Sequence, residues 1–354
     1  MYYVGVMSGT SLDGVDVVLC QIDTKKCILL EKLEYPMPLS LKKDILEMIK
    51  MPTTLEKVGE IDTRLGVLFY KAVNALLIKS SFSLTSIEAI GLHGQTLWHA
   101  PFGKYPFSMQ LGNVHILSSK LNIKVVSDFR QKDIALGGQG APFAPAFHEF
   151  LFGKTEEKIA VINIGGMANI TILDDTLLGY DTGCGNVLLD YWINKYKNIS
   201  YDKEGTWAKS GKVCKLLLDT MLKDEYFHAP FPKSTGREKF NDAWLEVYLK
   251  DLTLNVEDVQ RTLLEVTALS ISNEVLKFNR DKIILCGGGA KNSFLVDRIK
   301  LLLSEVEVVI AKEADYIEAM TFAWLAYKRI RKEAVNLKDV TGATKNTILG
   351  GVYE

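Results

Sequence analysis

Five short segments of this chain collect residues able to do chemistry. SGTSLDGVD, residues 8–16, sets hydroxyls at Ser8, Thr10 and Ser11 around Gly9 and Gly14. The glycines are spaced as in a phosphate-binding P-loop, but Val15-Asp16 stands where such a loop needs Lys-Ser/Thr, so no lysine reaches the phosphates. Backbone N–H groups in a small-residue turn can still nest an anion, with the hydroxyls as further donors. A tight hairpin turn needs fewer polar residues than this. NIGGMAN, residues 163–169, offers close backbone approach at Gly165 and Gly166 with the polar heads of Asn163 and Asn169. YDTGCGN, residues 180–186, places Asp181 after the apolar run TLLGY. A carboxylate there suits a general base or a metal-bound water; the same tripeptide also suits a turn or N-cap aspartate. In CGGGAKN, residues 286–292, an apolar run ends in Gly287, Gly288 and Gly289 without the GxGxxG register. A phosphate or planar ring can lie on such backbone, and a close-packed strand–helix turn has the same composition. The fifth feature is polar density in HGQTLWH (93–99), SDFRQKD (127–133) and GGQGAPFAPAFH (137–148), where Arg130 can fork onto a carboxylate. His93 and His99 suit a site or a structural role equally.

Elements must position these segments. YYVGVM and VDVVLCQI flank the first loop, and KIAVINI and ITILDD flank NIGGMAN. Each reads as strand, glycine turn, strand, and the recurrence points to a duplicated unit. Residues 40–50 and 55–80 carry apolar residues three and four apart, as do NVLLDYWINKY, 256–278, FLVDRIKLLLSE and IEAMTFAWLAYKRIRKEA; these predict helices. IEAIGLHG, IKVVSDF, IILC and VEVVIA predict further strands. Strands alternating with helices imply α/β layers, and the opening hairpins make the sheets mixed. The division is placed near residues 129–140, giving a first lobe of 1–130 with 335–354 and a second of 131–334.

Composition sets the outer bounds. A chain of 354 residues, 47% hydrophobic and 24% charged, suits two globular lobes rather than disorder or a solenoid. Lys+Arg 42 against Asp+Glu 43 gives no basic excess for nucleic acid. No signal sequence and no run long enough to span a membrane is read. Five cysteines without a CxxC pair argue against a disulfide framework and a zinc site, and for a reducing compartment; five histidines without HExxH argue against a zinc hydrolase.

Taken in order, MSGTSLDGVD, GLHGQTLWHAP, VVSDFRQKDIALGGQGAPFAPAFH, NIGGMANIT, YDTGCGN, FPKSTGREKFN, CGGGAKN and IEAMTFAWLA resemble the anhydro-N-acetylmuramic acid kinases over nearly the whole chain. The resemblance implies a duplicated ribonuclease-H-like, actin-like ATPase fold with ATP and Mg²⁺ in a central cleft. It implies ATP binding by Gly9, Thr10, Ser11, Leu12, Asp13, Gly14, Val15 and Asp16, with Asn163, Gly165, Gly166 and Gly287–Gly289 as further nucleotide contacts. Asp181 matches the catalytic base and Glu318 a second acidic residue near the reacting centre. Gln95, Thr96, His99 and Arg130 match sugar-holding positions. Cys184 departs from the usual proline of DTGPGN, and GNVHIL (112–117) from the usual GNP opening; both bear on local backbone shape. The implied activity is hydrolytic opening and O6 phosphorylation of 1,6-anhydro-N-acetylmuramic acid in cell-wall recycling, in a bacterial cytoplasm. Its partners are the sugar and ATP, with no nucleic acid or membrane, and a homodimer is compatible. A nucleotide-dependent chaperone or filament subunit and an ordinary glycosidase using Asp181 and Glu318 are the alternatives.

Overall fold

The computed structural model describes residues 1–9, 12–153, 155–231 and 233–354. They form two compact units, Met1–Leu151 with Tyr316–Glu354, and Phe152–Asp315.

In the first unit, β1 (Tyr2–Ser8), β2 (Gly14–Ile22) and β3 (Cys27–Pro36) form an antiparallel meander. β4 (Ile87–Ala100) lies parallel to β1, β5 (Phe107–Leu111) pairs back on β4, and β6 (Val125–Ser127) lies parallel to β4. In the second unit, β7 (Ile159–Ile164), β8 (Met167–Ile172) and β9 (Leu178–Cys184) form another meander. β10 (Lys282–Cys286) lies parallel to β7, and β11 (Glu307–Ile310) parallel to β10. β12 (Gly351–Tyr353) returns to pair with β6. The path β3-β2-β1-β4-β6 therefore repeats as β9-β8-β7-β10-β11 with the same strand directions. This is the duplicated ribonuclease-H-like fold of the actin-like ATPases, and the two strand–glycine–strand hairpins open its two copies.

Burial follows from pattern. β7, IAVINI, is buried at every position, as a central strand covered on both faces must be. β3 alternates half-buried and exposed along its whole length, and its Lys/Glu content hid it in the sequence. The helix Leu55–Ser80 begins at Thr54, whose hydroxyl accepts from Lys57 N at 3.2 Å. It buries Ile61, Leu65, Phe69, Ala72 and Leu76 against Val4, Val6, Val17 and Leu19. The helix Val256–Leu276 supplies Leu263, Leu264 and Ile271 to the second core.

The division differs from that read in the sequence. Residues 131–151 stay with the first unit because Asp133 accepts from Thr341 Oγ1 at 2.8 Å and Phe147 packs on Trp324, rings 5.6 Å apart. The chain returns to the first unit at Tyr316 rather than after residue 334. The helix Ile317–Ile330 packs on β1 and β4, where Gly5 and Gly91 stand opposite each other. A Cβ on Gly5 would meet the Ala319 carbonyl, and one on Gly91 the Phe322 carbonyl, so side chains there would push the helix off the sheet.

Candidate active site

The loop after β1 is backbone chemistry. Leu12 and Val15 are buried in the first core, so neither side chain can reach a ligand. Leu12 has φ 56, a left-handed conformation uncommon outside glycine. The exposed Asp13 carboxylate pairs with Lys42 Nζ at 2.8 Å, Gly14 opens β2, and Asp16 stands opposite Met7 in the β1–β2 ladder. Thr10 and Ser11 lie outside the described residues. Ser8 Oγ donates to Gln95 Oε1 at 2.7 Å, and Gln95 Nε2 donates to the Gly9 carbonyl at 3.4 Å. Gln95, expected at the sugar, is buried and braces the loop.

The counterpart lies at the C-terminal ends of the parallel strands β7 and β10, the end where open α/β sheets bind ligands. The Gly165 and Gly166 carbonyls accept from Asn186 N at 2.8 Å and Gly185 N at 2.9 Å, which fixes this turn against the start of the helix Val187–Lys197. Gly287 has φ 78, and a Cβ there would strike Asn163 Oδ1 and the Ile164 carbonyl, so glycine is required. Gly289 is pressed on Ile164. Gly166 and Gly288 have nothing within 4 Å of where a Cβ would sit. Packing does not demand glycine at these two positions, and bare backbone facing open space suits a phosphate or nucleotide laid against it.

Asp181 lies within β9, not at the end of a strand as the sequence suggested, and stands opposite Asn169. Its Oδ2 accepts from Thr235 N at 3.0 Å and Ser234 Oγ at 3.1 Å. Its Oδ1 takes no hydrogen bond from the described residues. Burial pushes its pKa up to about 6, opposed by those two donors and aided by Glu238. A half-tethered carboxylate titrating near 6 can take a proton from water at neutral pH. Ser234 and Thr235 were not singled out from sequence. Their only signal was FPKSTGREKFN, which carried the family resemblance without an assigned role.

The polar cluster of the first unit divides in two. Arg130 Nη1 donates to the Gly140 carbonyl at 2.6 Å, Nη2 meets His93 Nε2 at 2.8 Å, and the guanidinium lies 5.2 Å from the Phe143 ring centre. Burial lowers the Arg130 pKa to about 10, against the supporting charges of Glu318 and Asp133. Burial, then the Arg130 charge, holds His93 near 3, and so neutral. The Ser8 and Gly94 carbonyls oppose that shift, but Nδ1 completes no hydrogen bond of good geometry. Glu318 is exposed in the first turn of the helix Ile317–Ile330. Across the β4–β5 hairpin, His99 Nδ1 meets Ser108 Oγ at 2.9 Å, and Gln110 Nε2 bridges Thr96 Oγ1 at 3.2 Å and Ser108 Oγ at 2.7 Å. Partial burial and Arg130 bring His99 to about 4. Beside this hairpin is a cavity of about 250 Å³ lined by Asp62, Gly94, Gln110, Asn113, Ser127 and Asp128, among others.

Among the described residues no three His, Cys, Asp or Glu side chains gather as a metal cage, and no helix is long and apolar enough to cross a membrane. Cys184, in place of the usual proline, is buried, and burial pushes its thiol up to about 12.

Comparison with known proteins gives a consistent picture. The family model described as anhydro-N-acetylmuramic acid kinase matches residues 1–354. The anhydro-N-acetylmuramic acid kinase of Sulfurovum sp. (strain NBC37-1) is 64% identical over 353 residues, covering 99% of this chain and 98% of the relative. That of Sulfurimonas denitrificans is 51% identical over 365 residues, covering 100% of this chain and 99% of the relative. In fold, the chain is similar to the (R)-2-hydroxyglutaryl-CoA dehydratase component A of Acidaminococcus fermentans. The TM-score is 0.50 at 14% identity, covering 94% of this chain and 100% of that one.

Proposed function

The chain belongs to the anhydro-N-acetylmuramic acid kinase family, kinases of peptidoglycan recycling, and from that premise we propose that it opens 1,6-anhydro-N-acetylmuramic acid with water and phosphorylates O6 from ATP. The product is N-acetylmuramic acid 6-phosphate, formed in the cytoplasm. The observation that carries this reading is Asp181, with Oδ2 held by Ser234 and Thr235 and Oδ1 without a hydrogen bond from the described residues.

The anhydro-sugar has no free 6-hydroxyl, so an ordinary kinase base would find no proton to take. Asp181 instead takes a proton from water as the water oxygen bonds to C1 and the C1–O6 bond breaks. C1 passes through an oxocarbenium-like state, as in glycoside hydrolysis. O6 leaves with the electron pair of the broken bond and receives the phosphoryl group, so no separate acid is needed at O6. ADP departs as leaving group.

The loops Gly9–Asp16, Gly165–Gly166 and Gly287–Gly289 hold the nucleotide through backbone, with the bare surfaces of Gly166 and Gly288 as the fit. Mg²⁺, when bound with the nucleotide, would neutralise phosphate charge during the transfer. Thr96, His99 and Arg130 orient the sugar. Glu318 supports the Arg130 charge and so the shape of this cluster.

ADP release measured with and without anhydro-sugar tests the reading. Release that depends on the sugar, with anhydro bond and ATP consumed one for one, is expected. Release without sugar would point to a chaperone-like ATPase, and sugar opening without ATP to a glycosidase.

A further inference from the structure

We infer that the buried pair Lys233–Glu274 is the positioning device that presents Asp181, by clamping the segment Lys233–Thr235 onto β9. The inference rests on Asp181 being the base.

Asp181 is held at its backbone as well as at its carboxylate. Its N–H donates to the Lys233 carbonyl at 3.0 Å, and its own carbonyl accepts from the Tyr226 hydroxyl at 2.8 Å. The two donors to Oδ2 come from the residues that directly follow Lys233. Lys233 therefore governs both the strand-side contact and the side-chain contacts.

The Lys233 ammonium is fully engaged. It donates to Glu274 Oε1 at 2.7 Å, to the Tyr226 carbonyl at 3.0 Å and toward the Phe227 carbonyl at 3.5 Å. Its side chain is 5% exposed and that of Glu274 3%. Glu274 lies on the helix Val256–Leu276 and is saturated in turn: Tyr180 Oη donates to its Oε2 at 2.9 Å, and Lys277 Nζ lies 2.7 Å from the same oxygen. One carboxylate thus ties together Tyr180, the neighbour of Asp181 on β9, and Lys233, the neighbour of its two donors.

A buried ion pair contributes little net stability compared with apolar side chains of the same size. This one fixes geometry instead. It holds two donors on one oxygen of the base and leaves the other oxygen clear.

Charged and titratable groups surround Asp181 and its clamp. Glu238 acts on Asp181 from the segment that follows Lys233, and Tyr226 from the helix Glu225–His228; Glu274, near the end of the helix Val256–Leu276 and paired with Lys277, acts on Tyr226, while Tyr180 and Cys184 lie on β9 itself. The Ser234 and Thr235 donors favour the charged carboxylate, against burial and Glu238. Releasing the segment removes that support, so the carboxylate becomes harder to ionise.

The experiment is the pH profile of ATP- and sugar-dependent turnover in the full chain. Glu274→Gln keeps the volume and removes the charge. It is expected to lower kcat by roughly 10- to 100-fold, the scale of a misplaced catalytic group. It should also move the acid limb of kcat/KM upward by about one unit, with KM for ATP unchanged. Ser234→Ala removes one donor at an exposed position and leaves the pair intact. It should shift the limb the same way by less; if Glu274→Gln does not fold, Tyr180→Phe, which removes one hydrogen bond from Glu274 and keeps both charges, takes its place with a smaller shift in the same direction expected. Folded variants with wild-type rate and limb, beside an inactive Asp181→Asn, would overturn the clamp. An active Asp181→Asn would instead overturn the assignment of the base on which it rests.

Discussion

Gly5 on β1 and Gly91 on β4 are register partners, and the helix Ile317–Ile330 crosses both at backbone contact. That approach fixes Glu318, in the first turn of the same helix, relative to β1, which ends at the loop beginning with Gly9, and to β4, which carries the Gln95 brace.

Gly5→Ala and Gly91→Ala should each destabilise the protein by about 1–3 kcal/mol, the usual cost of forcing atoms into a packed interface. Urea unfolding reads this directly as a lower midpoint. A midpoint equal to wild type in both would mean that the helix can step back without loss.

Asp181→Asn should lower turnover by roughly 10²- to 10⁴-fold, the range for loss of a general base. Binding of ATP, measured by calorimetry, should change little, because the nucleotide loops keep their own backbone contacts. A variant that keeps near-normal turnover rules Asp181 out as the base.

The same carboxyl makes a stability prediction whose sign is fixed by its pKa, raised from 3.8 to about 6 in the fold. A raised carboxyl favours the folded state fully below its unfolded pKa, and that contribution is lost as pH rises through the folded pKa. At pH 8 the wild type therefore carries a disfavoured charge that Asp181→Asn lacks, and the variant should melt at higher temperature. Between pH 6 and pH 4 the difference should shrink. A Tm difference that is constant over this range would place the folded pKa near its ordinary value.

Gln95→Ala should raise KM for ATP more than KM for the sugar. Gln95 is buried, accepts from Ser8 and donates to the Gly9 carbonyl, so its loss loosens the loop assigned to the nucleotide. Initial rates with each substrate varied in turn separate the two constants. An effect on the sugar alone would return Gln95 to the sugar-contacting role that its motif first suggested.

Arg130→Lys should lower both stability and sugar affinity. Lysine keeps the charge but cannot reach the Gly140 carbonyl and His93 together, and hydrogen bonds from charged groups contribute about 1.5–3 kcal/mol. Thermal melting alongside the KM for sugar checks both halves. An unchanged melting point with a raised KM would mean that the internal contacts are dispensable.

The duplicated topology was legible because YYVGVM and KIAVINI are strands by any criterion and each runs into a glycine turn. Asp181 was legible as a candidate through its family motif, but its setting was not. Lys233 and Glu274 are 41 positions apart, and nothing in either local pattern announces a buried pair. Leu12 and Val15 lay inside a motif assigned as a whole to the nucleotide, and only burial separates the residues that lend backbone from those that fill the core. The unit to which the helix Ile317–Ile330 belongs was also hidden. Its amphipathic period says that a face is buried, not which sheet covers it.

The place of that helix in the chain has a consequence for how the protein is made. Residues 152–315 are contiguous and hold every element of their own unit, whereas the first unit needs residues 316–354 to complete its sheet and cover β1 and β4. A ribosome delivers those residues after the rest of both units. The half synthesised first therefore waits, with the face that the helix Ile317–Ile330 will cover still open, while the half synthesised later can already close. Nascent chains stalled around residue 315 should expose that apolar face to holdase chaperones until translation resumes.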